Sequence, residues 1–97
     1  MKGDENMLMT FDYSISFGRG DGAESYIEMD ITTEEYERIQ TAKKSGTDFS
    51  NCEFVADIYE RLYELADEDA TQDLRDAEYL DEDQKASELY SIVVEYP

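Results

Sequence analysis

Apolar and polar residues alternate with a period of two along residues 7–17. The apolar positions are Met7, Met9, Phe11, Tyr13, Ile15 and Phe17. This period is typical of a strand with one buried face and one face in water. Three glycines, Gly18, Gly20 and Gly22, then interrupt the pattern, and residues 25–31 alternate again. The pattern predicts a β-hairpin with its loop at the glycines.

A helix is predicted to follow the hairpin directly. Thr32 and Glu35 have the spacing of a capping box, in which each side chain binds the other residue's backbone N–H. Tyr36 and Ile39 begin a short apolar stripe. Gly46 suits the left-handed residue that ends many helices. We therefore expect one helix between Thr32 and Gly46.

A second and longer helix is predicted after residue 50. Ser50 and Glu53 repeat the capping spacing, and Phe49 and Phe54 stand where a hydrophobic staple would join the two sides of a helix start. An apolar stripe follows at helical spacing: Val55, Ile58, Tyr59, Leu62, Leu65 and Ala66. This is the longest amphipathic segment of the chain, so we expect it to cover the core.

The segment 67–83 combines high charge with a weak helical pattern. It contains nine acidic residues and one arginine, yet Ala70, Leu74 and Ala77 keep a helical spacing. We expect a weaker third helix there. Residues 89–96 are rich in β-branched and aromatic side chains, which favour a strand.

Together these elements predict a single acidic α+β domain over residues 1–97. The C-terminal strand is expected to pair with the first strand, which is the longest available neighbour. This pairing completes a three-stranded sheet in the order 2-1-3, with two to three helices on one face of the sheet. Residues 1–6 are expected to form a flexible N-terminus.

The net charge sets this chain apart from an ordinary small domain. It has 26 acidic residues, 8 basic residues and no histidine, a formal charge of −18. A small domain needs a net charge of only about 2–8 units for solubility. The excess repels nucleic acid and anionic membranes and attracts basic partners. It is also uneven, because residues 1–50 carry a net −6 and residues 51–97 a net −12.

Composition also limits the chemistry. Without histidine the commonest general base near neutral pH is missing, so we expect no enzyme and no cofactor. The single cysteine, Cys52, is expected in the first turn of the second helix and can form no intramolecular disulfide. Residues 1–6 lack the apolar run that a signal peptide contains, and no apolar run reaches the length of a membrane span, so we expect a cytoplasmic protein. Arg19-Gly20-Asp21 is interpreted as a hairpin turn rather than an adhesion motif.

Residues 67–78 partly resemble a calcium-binding EF-hand loop in their spacing. Asp67, Asp69, Thr71 and Glu78 occupy ligand positions 1, 3, 5 and 12 of such a loop. The glycine that the sharp turn requires at position 6 is replaced by Gln72. A helix over this segment would also scatter the ligands around its axis. We therefore predict no specific metal site.

The predicted binding surface is an acidic helix face. Glu53, Asp57, Glu60 and Glu64 follow one another at steps of three or four residues, which places their Cβ atoms about 5–6 Å apart on a helix. This spacing is near that of phosphates along one DNA strand. The predicted partner-binding residues are Glu53, Asp57, Glu60, Glu64, Asp67, Glu68, Asp69, Asp73 and Asp76. The corresponding function is a non-enzymatic protein that presents carboxylates to a basic protein surface, in the manner of a nucleic-acid-mimic inhibitor from a phage or mobile element.

Other interpretations stay open at this level. The charge could serve only to keep the chain in solution. A structural or regulatory interaction domain would instead use a helix-free sheet face with Leu8, Tyr26 and Tyr90, or the free edge of strand two, as a monomer or weak homodimer. A calcium-responsive module built on residues 67–78 is the third alternative.

Overall fold

The computed structural model describes residues 6–97, and its longest feature is the predicted hairpin. Strand β1 runs over Asn6–Gly18 and pairs antiparallel with strand β2, Asp21–Thr32. Only Arg19 and Gly20 connect them, and both have positive φ, 58° and 81°. Positive φ at both central residues is the geometry whose twist matches that of paired strands. The hairpin is therefore confirmed, with a tighter turn than the three glycines indicate.

The third glycine belongs to the strand rather than to the loop. Gly22 of β2 pairs with Ser16 of β1, and a Cβ added to Gly22 would lie 2.8 Å from the carbonyl oxygen of Ile15. Close backbone approach, rather than a turn, thus explains this glycine. The register shifts between Ser16 and Gly18, so Phe17 occupies a bulge. The predicted flexible segment 1–6 lies outside the described residues except for Asn6, the first residue of β1.

The C-terminal strand completes the sheet as predicted. Strand β3, Ser91–Val94, pairs antiparallel with residues 13–16 of β1, and the strand order is β2-β1-β3. Ile92 and Val94 are buried, whereas Val93 is exposed. The strand is shorter than residues 89–96, because Leu89 ends a four-residue helix, α3 (Ala86–Leu89).

Helix α1, Thr33–Ser45, begins and ends where the sequence indicates. The backbone N–H of Glu35 donates to Thr32 Oγ1 at 3.1 Å, and the N–H of Thr32 donates to Glu35 Oε1 at 3.0 Å. Gly46 has φ 79° and its N–H donates to the Lys43 carbonyl. The predicted capping box and helix end are both confirmed.

The start of the second helix was predicted wrongly. Helix α2 covers Ala56–Asp76, and the residues before it form two 3₁₀ turns, at 49–51 and 53–55, without the capping interactions of Ser50. Phe49 is buried, and its ring stacks on Tyr96 with centroids 4.5 Å apart. Phe54 points elsewhere, beneath the guanidinium of Arg38. The two phenylalanines therefore cannot form the staple, since each packs against a different partner.

The predicted third helix is the second half of α2. Its buried positions repeat every four residues without interruption: Ile58, Leu62, Ala66, Ala70 and Leu74. One continuous apolar stripe favours one continuous helix, because any break would expose part of it. The helix ends before Ala77, which is exposed, and Glu78 adopts a positive φ of 66°.

In the described part of the chain, no helix combines the length and apolar character needed to cross a membrane.

All helices lie on one face of the sheet. The core consists of inward side chains of the strands, of the three helices and of the segments that connect them: Phe11, Tyr13, Ile15, Ile27, Ile31, Ile39, Ala42, Phe49, Val55, Ile58, Leu62, Ala66, Ala70, Leu74, Leu80, Ala86, Ile92 and Val94. The molecule measures 47 × 27 × 17 Å. Its shortest dimension, 17 Å, fits two layers, one sheet covered by one layer of helices. The opposite sheet face is open to solvent.

A buried carboxylate joins α2 to the C-terminal segment. Asp67 is 9% exposed, and its oxygens accept hydrogen bonds from the backbone N–H and the hydroxyl of Ser87 at 3.0 and 2.8 Å. The hydroxyl of Thr71 also donates to Asp67, and it accepts from the N–H of Ala86 at 2.8 Å. These bonds satisfy the first N–H groups of α3 and direct the chain toward β3.

We predict that Asp67→Ala destabilises the protein by about 2–3 kcal/mol, because buried donors on Ser87 lose a charged acceptor. The matched control is Glu68→Ala, which removes the neighbouring exposed carboxylate and should change stability by less than about 0.5 kcal/mol. Urea unfolding of both variants measures the difference. Equal stability of the two variants would contradict this role for Asp67.

Candidate acidic binding surface

Four carboxylates form an exposed row along α2, which we call the acidic ridge. It consists of Glu60, Glu64, Glu68 and Asp76, with the exposed Gln72 completing the four-residue repeat. Four residues of helix rise about 6 Å, so the ridge extends over about 24 Å. The buried stripe of α2 holds the helix against the sheet, and the ridge therefore projects from a fixed support.

The cations nearest to the ridge in sequence are engaged elsewhere. Arg61 forms an ion pair with Glu35 of α1. Arg75 donates to two backbone carbonyls, those of Asp81 at 3.3 Å and Gln84 at 3.0 Å. Neither guanidinium contacts a ridge carboxylate, so the ridge keeps its negative charge.

Three of the predicted binding residues lie apart from the ridge. Glu53 is exposed in a 3₁₀ turn before α2. Asp57 pairs with Arg38, with 2.7 Å between Oδ1 and Nη2. The hydrogen bond from Arg38 lowers the pKa of Asp57, and the charge of Arg38 acts in the same direction. Asp67 is buried in the contact with Ser87 described above, so it is a structural residue rather than a binding residue.

The remaining two predicted residues, Asp69 and Asp73, face a groove beside β2. We call it the edge groove; it has a volume of about 590 Å³. Strand β2 lines it with residues 25–28, and α2 lines it with Leu65, Glu68, Asp69 and Asp73. The hydroxyl of Tyr13 donates to Asp69 Oδ2 at 2.7 Å. Burial raises the pKa of Tyr13, and the hydrogen bond to Asp69 and its negative charge raise it further.

A second acidic surface lies on the open face of the sheet, which we call the outer face. None of the three strands contains lysine or arginine. The outer face carries the exposed side chains of Asp12, Glu24, Glu28 and Asp30. Sequence reasoning about the acidic face missed these residues because it considered only helices. The alternation of acids with buried apolar residues in β2 contains the signal that would have identified them.

The exposed apolar residues of the outer face are scattered. Leu8 and Tyr26 are 64% and 60% exposed, but the pair formed by Thr10 and Glu28 lies between their positions in the sheet. Tyr90 was expected on this face and is not there. It contacts Phe17 edge-on, with ring centroids 4.9 Å apart. The predicted three-residue contact patch is therefore not formed.

The residues considered for metal binding do not converge. Asp67 and Thr71 share one buried side of α2, where they bind each other and the start of α3, whereas Asp69 faces the edge groove and Glu78 lies beyond the end of the helix. Within residues 6–97, no group of three or more acidic or cysteine side chains is arranged to hold a metal ion.

Cys52 is not in the first turn of α2, where the sequence predicts it. It lies between the two 3₁₀ turns and is half-buried.

Comparison with protein-family models, with curated proteins and with solved structures finds no match to this chain.

We predict that Tyr13→Phe costs about 1–2 kcal/mol at neutral pH, because the hydrogen bond to the Asp69 carboxylate is lost. The pKa of Tyr13 in the folded state lies above the ordinary value of 10.0. The contribution of this tyrosine is therefore complete below pH 10 and declines as the pH rises further.

Urea unfolding at neutral pH and at about pH 11 tests this sign. The gap between the wild type and Tyr13→Phe should narrow at the higher pH. Tyr26→Phe, at an exposed position, is the control and should stay within about 0.5 kcal/mol of the wild type. A gap for Tyr13→Phe that is the same at both pH values would contradict the raised pKa of Tyr13, and no gap at neutral pH would show that the hydroxyl contributes nothing.

Proposed function

We propose that this protein is a non-enzymatic binding protein that presents carboxylates to a basic protein surface. The observation that carries the proposal is the acidic ridge, whose carboxylates are exposed while Arg61 and Arg75 bind elsewhere. The class of partner that fits is a nucleic-acid-binding protein, since its basic groove is built to accept a row of negative charges. The protein would then act as a nucleic-acid mimic and inhibit its partner in the cytoplasm.

The spacing of the ridge supports this choice of partner. Glu60, Glu64 and Glu68 are separated by a rise of about 6 Å each, which is comparable to the separation of phosphates along a nucleic-acid strand, and Gln72 interrupts the row before Asp76. Lysine and arginine of the partner would form charge-assisted hydrogen bonds with these carboxylates. Such contacts steer association and weaken as salt increases.

The rigidity of the ridge also supports binding. Like charges four residues apart destabilise a helix, so the row persists only because the other side of α2 is held in the core by Ile58, Leu62 and Ala66. A charged row that is already ordered loses little conformational entropy when a partner binds. Maintaining solubility alone needs neither the order nor the concentration of these charges.

The alternative interaction domain has weaker support. The apolar residues of the outer face are separated by acidic and polar positions, as for Leu8 and Tyr26. Acidic side chains such as Glu28 and Asp30 accompany them. A partner for this face would also have to be basic, so the same proposal covers it.

A fourfold variant of the ridge tests the proposal: Glu60→Gln, Glu64→Gln, Glu68→Gln and Asp76→Asn. The matched control neutralises four exposed carboxylates elsewhere: Asp21→Asn, Glu37→Gln, Asp48→Asn and Glu82→Gln. Both variants change the formal charge from −18 to −14. The wild type and the control should retain basic nucleic-acid-binding proteins from a lysate, and the ridge variant should lose them, because only that variant lacks the ordered row.

Competition with DNA tests whether the protein occupies the nucleic-acid site of its partner. Retained proteins should be displaced by double-stranded DNA and should elute between about 0.05 and 0.5 M salt, where screening of exposed charges becomes strong. Equal retention by the two variants would show that bulk charge alone acts. Retention that DNA does not affect would exclude a nucleic-acid mimic.

A further inference from the structure

We infer that the free edge of β2 is a docking site for an extended basic peptide segment, which adds to the sheet as a fourth strand. This inference deepens the proposed function, because it depends on a basic partner and names how one part of that partner is held. Strand addition combines backbone hydrogen bonds with side-chain contacts on alternating sides of the added strand.

The two edges of the sheet are different. The β3 edge is only four residues long, and the N–H of Val94 donates to the hydroxyl of Tyr59 at 3.1 Å. The β2 edge is twelve residues long, and within residues 6–97 it pairs only with β1. Long unpaired edges are templates for pairing with another chain. Among the strands of residues 6–97, β2 alone offers such an edge.

Hydrogen bonds elsewhere in the sheet identify the free groups of β2. The N–H of Glu95 donates to the carbonyl of Asp12 at 2.9 Å, so the polar backbone groups of Asp12 face β3. Tyr26 is directly opposite Asp12 in the register. In an antiparallel ladder a residue opposite such a position directs its own N–H and C=O away from the pair. The backbone groups of Tyr26 therefore point to the free edge.

The direction of the backbone N–H and C=O groups alternates from one residue of β2 to the next. Residues two apart have the same orientation, so Glu24, Glu28 and Asp30 also direct their backbone groups outward. The intervening residues of β2 bond to β1. An incoming strand would thus find four outward-facing residues in a row, from 24 to 30.

Charge determines what kind of strand fits this edge. On the core side, an added strand would face the edge groove and its carboxylates, Glu68, Asp69 and Asp73 of α2. On the other side it would extend the outer face next to Glu24 and Glu28. Side chains on both faces of the added strand therefore lie next to carboxylates. Lysine and arginine are favourable on either face of that strand, and acidic residues are unfavourable.

A second copy of this chain does not fit. Pairing two β2 edges would place the acidic side chains of β2 beside those of its copy, and each molecule carries a net charge of −18. Like charges across a strand pair are destabilising. The same repulsion that opposes a homodimer through this edge favours a basic peptide.

The probe is a synthetic peptide of about eight alternating lysine and threonine residues, which is long enough to span residues 24–30 at about 3.3 Å per residue. Its partner probe has the same side chains with every backbone nitrogen methylated, so it keeps its charge and cannot donate backbone hydrogen bonds. Titration should show that methylation weakens binding by about tenfold or more, because the strand-pairing donors are lost. Hydrogen exchange of the bound protein should become slower at the N–H groups of Glu24, Tyr26, Glu28 and Asp30.

A substitution in β2 tests the same backbone hydrogen bonds on the side of the protein. Glu28→Pro removes one outward N–H and leaves the bonds between β2 and β1, since proline is tolerated where an edge strand faces solvent. Glu28→Gln is the matched control, which removes the charge and keeps the N–H. Binding of the lysine peptide should weaken more for Glu28→Pro than for Glu28→Gln. Thermal unfolding verifies that both variants are folded. If Glu28→Pro does not fold, the comparison of the two peptides on the wild-type protein still tests the docking site.

The outcomes separate this inference from the proposed function. Equal binding of both peptides without slower exchange would overturn the docking site and leave the basic partner in place. Binding of neither peptide would also overturn it, whereas the ridge variants and DNA competition decide the proposed function independently. Dimerisation of the protein in place of peptide binding would show that a second copy is the occupant, and the inference would be wrong.

Discussion

The packing of α2 across the inner face of β1 is the contact on which the rest of this structure depends. Phe11 and Tyr13 of the central strand and Ile58 and Leu62 of the helix are almost completely buried. Burial of each large side chain contributes about 1.5–3 kcal/mol. This attraction has to exceed the repulsion within a chain of net charge −18. Because only one sheet face is covered, both strand edges and the entire outer face depend on this single layer for their positions.

The acidic residues fall into two groups with different physical roles. Asp67 and Asp69 accept hydrogen bonds from buried or half-buried groups, and Asp57 and Glu35 hold the two arginines that connect α1 to the region of α2. These carboxylates bind the elements together. Within residues 6–97 the ridge and outer-face carboxylates form no ion pair and face solvent, and Asp76 accepts a hydrogen bond from its exposed neighbour Gln72 at 3.0 Å. The two acidic surfaces approach each other at the edge groove, where Glu28 of β2 lies near Glu68 of α2.

Local patterns were sufficient wherever neighbouring residues decide the structure. The capping box of Thr32 and Glu35 depends on residues three apart, and it was predicted correctly. The alternation in β1 also identified Phe11, Tyr13 and Ile15 as core residues, whereas Met7 and Phe17 near the two ends of the strand are exposed. At Phe49 the same kind of reasoning failed, because its ring stacks on Tyr96, a residue far along the chain. A distant aromatic contact outweighed a local staple.

Charge, periodicity and the hairpin are properties that the sequence determined by itself, since each depends on residue type and short spacing. The four ridge carboxylates were all among the predicted binding residues, but five other acidic residues that lie elsewhere were predicted together with them. Only the tertiary structure decided that Asp67 is buried, that Arg38 neutralises Asp57, and that β2 keeps a free edge next to acidic residues of α2. The physical reason is that burial, ion pairing and edge exposure depend on which distant elements meet, and a sequence read locally contains no distances between them.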